Sequence, residues 1–189
     1  MKILILGGSK SGKSMLAQRL VRALSNGGPM YYWAAMEPGD VEDLARIERH
    51  RKEREGWGFE TIERGRALEG ALPLAENASV LFDSVTALLA NEMFRGAEPD
   101  AGAPERALEE LLAAAGSAEN FVCVCDDLSR GGDGRDGWTD EYVRGLGHIC
   151  RGLAKRFDIV GEVSMGLLKL HKGELPPEIL FEITHGSGV

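Results

Sequence analysis

One short glycine-rich stretch near the amino terminus constrains this sequence more than any other feature. Residues 7–14 read Gly-Gly-Ser-Lys-Ser-Gly-Lys-Ser, which satisfies the pattern G-x-x-x-x-G-K-[ST]. The apolar run Lys2–Leu6 before it has the pattern of a buried strand, and the residues after it, with Met15, Leu16 and Leu20, have a helical pattern. A strand, a glycine-rich turn and a helix in this order predict a loop that binds the phosphates of a nucleotide.

The residue types of this loop explain how it would hold phosphate. Its glycines let backbone N–H groups turn towards phosphate oxygens, and the first turn of the following helix adds unpaired donors and the positive end of its dipole. Lys13 brings a positive charge to the β- and γ-phosphates, and Ser14 offers a hydroxyl to Mg²⁺. The predicted nucleotide-binding residues of the loop are Gly7, Gly8, Ser9, Lys10, Ser11, Gly12, Lys13 and Ser14.

The metal ion needs a second protein anchor, which is usually an acidic residue at the end of a neighbouring strand. Asp83 directly follows the apolar run Val80–Phe82 and is the favoured anchor. Asp126 and Asp127 follow the apolar run Phe121–Cys125 and remain alternatives. An aspartate in such a position can also serve only as a helix cap or turn residue.

Strand and helix patterns alternate along the chain, which predicts a three-layer α/β domain with a central, mostly parallel sheet. The strand patterns lie at Lys2–Leu6, Met30–Ala35, Phe59–Ile62, Val80–Phe82, Phe121–Cys125, Phe157–Val163 and Leu167–Leu170. Helical patterns after the first one cover Val41–Arg54, Val85–Phe94, Pro104–Ala115 and Thr139–Arg156. We expect one phosphate-binding domain over residues 1–172, followed by an extension of unknown role over residues 173–189.

Charge and composition exclude some classes of partner. The 22 basic and 30 acidic residues give a net charge of −8, which disfavours nucleic acid or anionic lipid as the main partner. Apolar runs fall short of the ~18 residues that a membrane helix needs, and the amino terminus does not look like a cleavable signal, so the predicted location is the cytoplasm. The odd number of cysteines predicts free thiols rather than a disulfide framework.

Several spaced segments together resemble a known family. After the Gly7–Ser14 loop come Tyr32-Trp33-Ala34-Ala35, a helix reading Arg-Ile-Glu-Arg-His-Arg-Lys-Glu-Arg over residues 46–54, Thr61-Ile62-Glu63, Leu81-Phe82-Asp83-Ser84, and Asn91. In order and approximate spacing these segments resemble the bifunctional adenosylcobinamide kinase/adenosylcobinamide-phosphate guanylyltransferase family of cobalamin biosynthesis. The helix with its histidine is the more specific part, because the glycine-rich loop occurs in many kinases.

The resemblance implies two reactions on a corrinoid substrate. A nucleoside triphosphate, ATP or GTP, would phosphorylate adenosylcobinamide, and GMP would then pass from GTP to that phosphate through a histidine. The resemblance implies His50 as the histidine that carries GMP, Arg51 and Arg54 as phosphate ligands, and Glu63 as a ligand of guanine or ribose. It also implies that Lys13 is catalytic, that Mg²⁺ is required and that the protein is a homotrimer.

The second half of the chain departs from the family pattern. Where the family has Asn-Glu-Val-Gly, this chain has Cys125-Asp126-Asp127-Leu128. In the helix around Tyr142, this chain lacks an acidic residue that the family has. Two other interpretations therefore stay open: a small-molecule kinase without guanylyl transfer, and a nucleotide-binding regulatory protein without turnover. On residue pattern alone, His50 could also be an ordinary polar residue of a charged helix.

Overall fold

The computed structural model describes residues 1–38, 44, 45, 47, 48, 51, 52, 54–128 and 137–185. Its strands are β1 (Lys2–Gly7), β2 (Met30–Ala34), β3 (Phe59–Glu63), β4 (Ser79–Asp83), β5 (Asn120–Asp126), β6 (Ile159–Ser164) and β7 (Leu167–Lys172). Its helices are α1 (Lys13–Ser25), α2 (Val85–Met93), α3 (Ala103–Gly116), α4 (Gly137–Arg156) and α5 (Pro177–His185), with a 3₁₀ turn at Leu68–Ala71. Residues 44, 45, 47, 48, 51 and 52 are also helical.

Within the described residues the strands form one seven-stranded sheet in the order β3-β2-β4-β5-β1-β6-β7. The strands are parallel except β7, which runs antiparallel to β6. The predicted α/β class with a central, mostly parallel sheet is confirmed. Most predicted elements begin and end within two residues of the observed ones. The strand predicted from Phe157 begins instead at Ile159, because the Phe157 N–H still bonds to Leu153 O at the end of α4.

Both faces of the sheet are covered, and the central strand β1 shows why. Ile3 and Ile5 point into one buried cluster together with residues of α1 and α5. Leu4, which points the opposite way, lies in a second buried cluster with residues of α2, α3 and α4. Successive side chains of a strand face opposite sides, so a strand buried on both faces is apolar throughout. The two clusters make three layers.

The carboxyl-terminal segment packs on the domain. Leu175 and Ile183 are 7% and 2% exposed and belong to the same cluster as Ile3. Arg19 of α1 donates to Ile183 O at 3.4 Å. The residues from 175 to 185 therefore cover the α1 face of the sheet. Among the described helices, none is long and apolar enough to span a membrane.

The carboxyl ends of the six parallel strands lie along one edge of the sheet, and those of β3, β2, β4, β5 and β1 position the site. Across β3, β2 and β4, the residues Glu63, Ala34 and Asp83 lie in register. Across β5 and β1, Asp126 is in register with Gly7, where the glycine-rich loop begins. Four interstrand spacings separate Glu63 from Gly7, roughly 19 Å along this edge.

Candidate nucleotide-binding site

The glycine-rich loop leaves the central strand and enters α1 through two residues in left-handed backbone conformations. Gly12, the residue before the helix, has φ 93°, and among the described residues no side chain caps the helix. Lys10 also adopts a left-handed conformation, with φ 57°. An uncapped helix start has unpaired N–H groups and the positive end of the helix dipole, which together attract phosphate. The loop therefore has the geometry that its sequence pattern predicts.

Lys13, the first residue of α1, lies almost buried at the centre of the site. Its Nζ is 2.6 Å from Asp126 Oδ1 and donates to Gly8 O at 3.2 Å. The other oxygen of this carboxylate, Asp126 Oδ2, accepts from Thr86 Oγ1 at 3.0 Å. Thr86 Oγ1 in turn lies 2.8 Å from Ser84 Oγ. Both oxygens of Asp126 thus have hydrogen-bond partners, and Lys13 has a counter-ion beside the loop.

Asp83, at the end of β4, has a different environment. Its Oδ2 accepts from the Tyr32 hydroxyl at 2.7 Å, whereas Oδ1 has no hydrogen bond to any residue that the structure describes. A carboxylate oxygen and the Ser14 hydroxyl are hard oxygen ligands of the kind that Mg²⁺ prefers. By the chemistry of their donor atoms these two residues suit a magnesium ion, and Asp83 has an oxygen to offer while both oxygens of Asp126 are engaged.

The basic residues predicted to bind phosphate lie at the β3 edge of the sheet, away from the glycine-rich loop. Arg51 forms an ion pair with Glu63, and both side chains are about half exposed. Together with Glu48, Lys52 and Arg54 of the same segment, Arg51 lines an open cleft of about 820 Å³ against the start of β3. We call this group of residues, with Glu63, the edge cluster. It brings three basic and two acidic side chains together beside the cleft.

Arg54 differs from the other basic residues of the edge cluster because it is only 8% exposed. Its guanidinium lies 3.6 Å from the centre of the Tyr32 ring. Trp57, three residues later, lies near Arg22 of α1, with 5.5 Å from the guanidinium carbon to the ring centre. These two contacts fix the end of the histidine-bearing segment on β2 and α1.

His50 lies outside the described residues. Of the other histidines, His148 lies 2.8 Å from Glu105 Oε2, and His171 lies 3.1 Å from Glu162 Oε2. Each therefore has an acidic partner on a neighbouring element, away from the glycine-rich loop.

The sequence assigned no role to two residues whose hydroxyls contact the strand-ending aspartates. Tyr32 stands in the second strand pattern as an apparent core residue, and only the sheet order brings its hydroxyl to Asp83. Thr86 follows Asp83 by three positions and reaches Asp126 because β4 and β5 are neighbours. The sequence does place two hydroxyl residues, Ser84 and Thr86, directly after the strand-ending Asp83. This pattern could have indicated a polar role for Thr86.

Replacing Gly7 by alanine is expected to distort the loop. A Cβ at this position would lie 2.6 Å from Ser11 Oγ and 2.7 Å from Val163 O, too close for both atoms. We expect the free energy of unfolding to fall by about 1–3 kcal/mol. Denaturant unfolding measures this, with Gly8→Ala as matched control, because nothing lies within 4 Å of a Cβ there. Equal stability of the two variants would contradict the described packing.

Comparisons with known proteins agree with one another at the level of family. The family model described as cobinamide kinase / cobinamide phosphate guanyltransferase matches residues 3–170. The bifunctional adenosylcobalamin biosynthesis protein CobP of Pseudomonas aeruginosa is 32% identical over 177 residues, which cover 92% of this chain and 99% of that protein. The bifunctional adenosylcobalamin biosynthesis protein CobU of Escherichia coli is 36% identical over 97 residues, 50% of this chain and 51% of that protein.

Two solved structures have a more distant likeness to this chain. The flagellar accessory protein FlaH of Methanocaldococcus jannaschii has a TM-score of 0.47 at 16% identity, covering 92% of this chain and 78% of that chain. The second structure, an ATPase domain, has a TM-score of 0.48 at 16% identity, covering 85% of this chain and 68% of that chain. Likeness at this level says nothing of ligand or activity.

Proposed function

The chain belongs to the cobinamide kinase / cobinamide phosphate guanyltransferase family of cobalamin biosynthesis, and from this membership we propose that it catalyses both reactions of that name. The observation that carries the proposal is the carboxyl edge of the sheet. There the glycine-rich loop follows β1, Lys13 pairs with Asp126 at the end of the neighbouring strand β5, and Asp83 ends the next strand, β4, in a chain whose family match covers residues 3–170.

The first proposed reaction transfers the terminal phosphoryl group of ATP or GTP to the aminopropanol hydroxyl of adenosylcobinamide. The residues Gly7–Ser14 hold the phosphates through backbone N–H groups, and Lys13 stays near the transferring group to neutralise its charge. Ser14 and Asp83 would hold Mg²⁺, which supplies further charge neutralisation. In this site Lys13 Nζ contacts Asp126 Oδ1 and Gly8 O. When a nucleotide binds, phosphate oxygens can replace part of the contact with Asp126, because they too are anionic oxygen partners for an ammonium group.

The second proposed reaction transfers GMP from GTP through His50. An imidazole nitrogen of His50 bonds to the α-phosphorus while the bond to pyrophosphate breaks, which leaves GMP on the histidine as a phosphoramidate. A phosphate oxygen of adenosylcobinamide phosphate then bonds to the same phosphorus, and the nitrogen–phosphorus bond breaks. Arg51 and Arg54 are proposed to bind phosphate oxygens, and Glu63 to bind guanine or ribose.

The proposed partners are therefore a corrinoid and a nucleoside triphosphate, with no nucleic acid or membrane partner. A homotrimer in the cytoplasm is proposed from the family resemblance alone. Light scattering coupled to size-exclusion chromatography tests the assembly, and a molar mass of one chain would exclude the trimer.

Product analysis tests the proposed function. Purified protein is incubated with Mg²⁺, adenosylcobinamide and either ATP or GTP, and the corrinoid products are separated and identified by mass spectrometry. We expect a phosphorylated corrinoid in the mixture with ATP, the mixture with GTP, or both. We expect a GDP-linked corrinoid only in the mixture with GTP. Phosphorylated product alone would support the kinase without guanylyl transfer. Nucleotide binding with neither product would support the regulatory interpretation.

A further inference from the structure

The phosphate-binding loop and the edge cluster lie at separate places along the sheet edge, and one tyrosine joins them. Tyr32 lies on β2, between β3 with Glu63 and β4 with Asp83. Its hydroxyl donates to Asp83 Oδ2 at 2.7 Å, and its ring is covered by the Arg54 guanidinium at 3.6 Å. We propose that Tyr32, held by Arg54, is a positioning residue that orients the Asp83 carboxylate for the magnesium ion.

The contact fixes the orientation of one carboxylate oxygen and leaves the other for a cation. A short carboxylate side chain has two rotatable bonds, and a hydrogen bond at Oδ2 favours those rotamers in which Oδ1 faces away from β2. Tyr32 is only 5% exposed, so its ring has little freedom to release the carboxylate. Because the phenol of Tyr32 is neutral, its hydrogen bond leaves the negative charge of Asp83 available to a cation. An ion pair with a lysine would instead offset that charge.

Arg54 contributes in two ways. Its stacked guanidinium limits the positions that the tyrosine ring can take, and a positive charge on the ring face polarises the phenol so that its hydroxyl donates more strongly. Because Arg54 ends the segment that lines the edge cluster, displacement of that segment would also loosen Tyr32.

The neighbouring residue Tyr31 provides a matched control. It precedes Tyr32 on the same strand, so its side chain faces the opposite side of the sheet, where it packs against the other buried cluster. Tyr31→Phe and Tyr32→Phe remove the same hydroxyl from adjacent positions while each ring stays. Only Tyr32→Phe removes a hydrogen bond to Asp83.

The test measures the Mg²⁺ concentration that half-saturates binding of a fluorescent, non-hydrolysable GTP analogue, and the affinity for the same analogue in EDTA. We expect Tyr32→Phe to raise the Mg²⁺ midpoint about tenfold, the amount that one hydrogen bond to a charged group is worth. Arg54→Met is expected to shift it in the same direction by less. Tyr31→Phe is expected to match the wild type, and binding in EDTA to stay unchanged in both tyrosine variants.

The inference rests on the proposed role of Asp83, so Asp83→Asn is measured in parallel. If Asp83→Asn raises the midpoint and Tyr32→Phe does not, the positioning role is overturned while the metal anchor stands. If Asp83→Asn has no effect, the metal anchor is overturned together with the inference. Weaker binding of Tyr32→Phe in EDTA, with no change in the midpoint, would show a purely structural role and also overturn the proposal.

Discussion

Replacing Lys13 by methionine is expected to lower the rate of phosphoryl transfer to adenosylcobinamide by at least about a hundredfold. Methionine keeps much of the apolar stem but removes the charge that the proposal places beside the transferring phosphoryl group. The rate is measured by the phosphorylated corrinoid formed at saturating ATP or GTP. Lys155→Met provides a control, because Lys155 is an exposed residue of the last turn of α4, at the opposite edge of the sheet.

Loss of Lys13 also leaves a partly buried carboxylate without its counter-ion, and this effect must be separated from catalysis. Asp126 Oδ1 lies 2.6 Å from Lys13 Nζ, so Lys13→Met alone is expected to lower the free energy of unfolding. The double variant Lys13→Met with Asp126→Asn removes both charges and keeps an oxygen for Thr86 to donate to. We expect it to recover stability but not phosphoryl transfer. Recovery of the rate in the double variant would show that Lys13 acts only by neutralising Asp126.

The part of the site that lies close together in sequence could be predicted from it. The loop from Gly7 to Ser14 and the strand before it are contiguous, so local pattern and turn chemistry suffice. The position of Asp83 at the carboxyl end of a strand follows from the apolar run before it, while its role as a metal anchor stays a prediction. Which of Asp83 and Asp126 pairs with Lys13 depends on strand order, because β5 rather than β4 lies beside β1.

The environment of Arg54 shows what a local pattern misses. In the sequence it is one of several arginines on a charged helix, a pattern typical of an exposed face or of a phosphate-binding one. In the structure it is 8% exposed and stacks on Tyr32, 22 positions earlier in the chain. Amphipathic periodicity assigns faces to a helix but does not say which basic side chain covers an aromatic ring on another strand.

The cysteines were predicted correctly, yet their proximity was not. Cys123, Cys125 and Cys150 are free thiols, and the first two are buried on β5. Cys150 of α4 lies with its Sγ 3.4 Å from that of Cys125. Burial raises the pKa of the Cys123 thiol well above its usual range, which keeps it protonated.

His50→Ala is expected to abolish covalent labelling of the protein by GTP. Wild-type protein incubated with Mg²⁺ and GTP labelled on the α-phosphorus should acquire label that is lost in acid and kept in base, as a phosphoramidate is. Alanine has no side-chain nitrogen to bond to phosphorus, so we expect the label to fall by at least about a hundredfold. Phosphorylation of adenosylcobinamide should continue in this variant, because that reaction is proposed to depend on Lys13 and the loop.

His148→Ala is the matched control for this experiment, since His148 is a partly exposed histidine that pairs with Glu105 on the neighbouring helix α3. It should be labelled as fully as the wild type. Label that persists in His50→Ala would place GMP on another residue.

Absence of label from the wild type, with nucleotide binding intact, would favour a kinase that transfers no GMP. Asp126 and Asp127, which depart from the family pattern, would then be the first residues to replace by those of the family. Recovery of labelling by that exchange would assign the loss to the end of β5, where the carboxylate beside Lys13 lies.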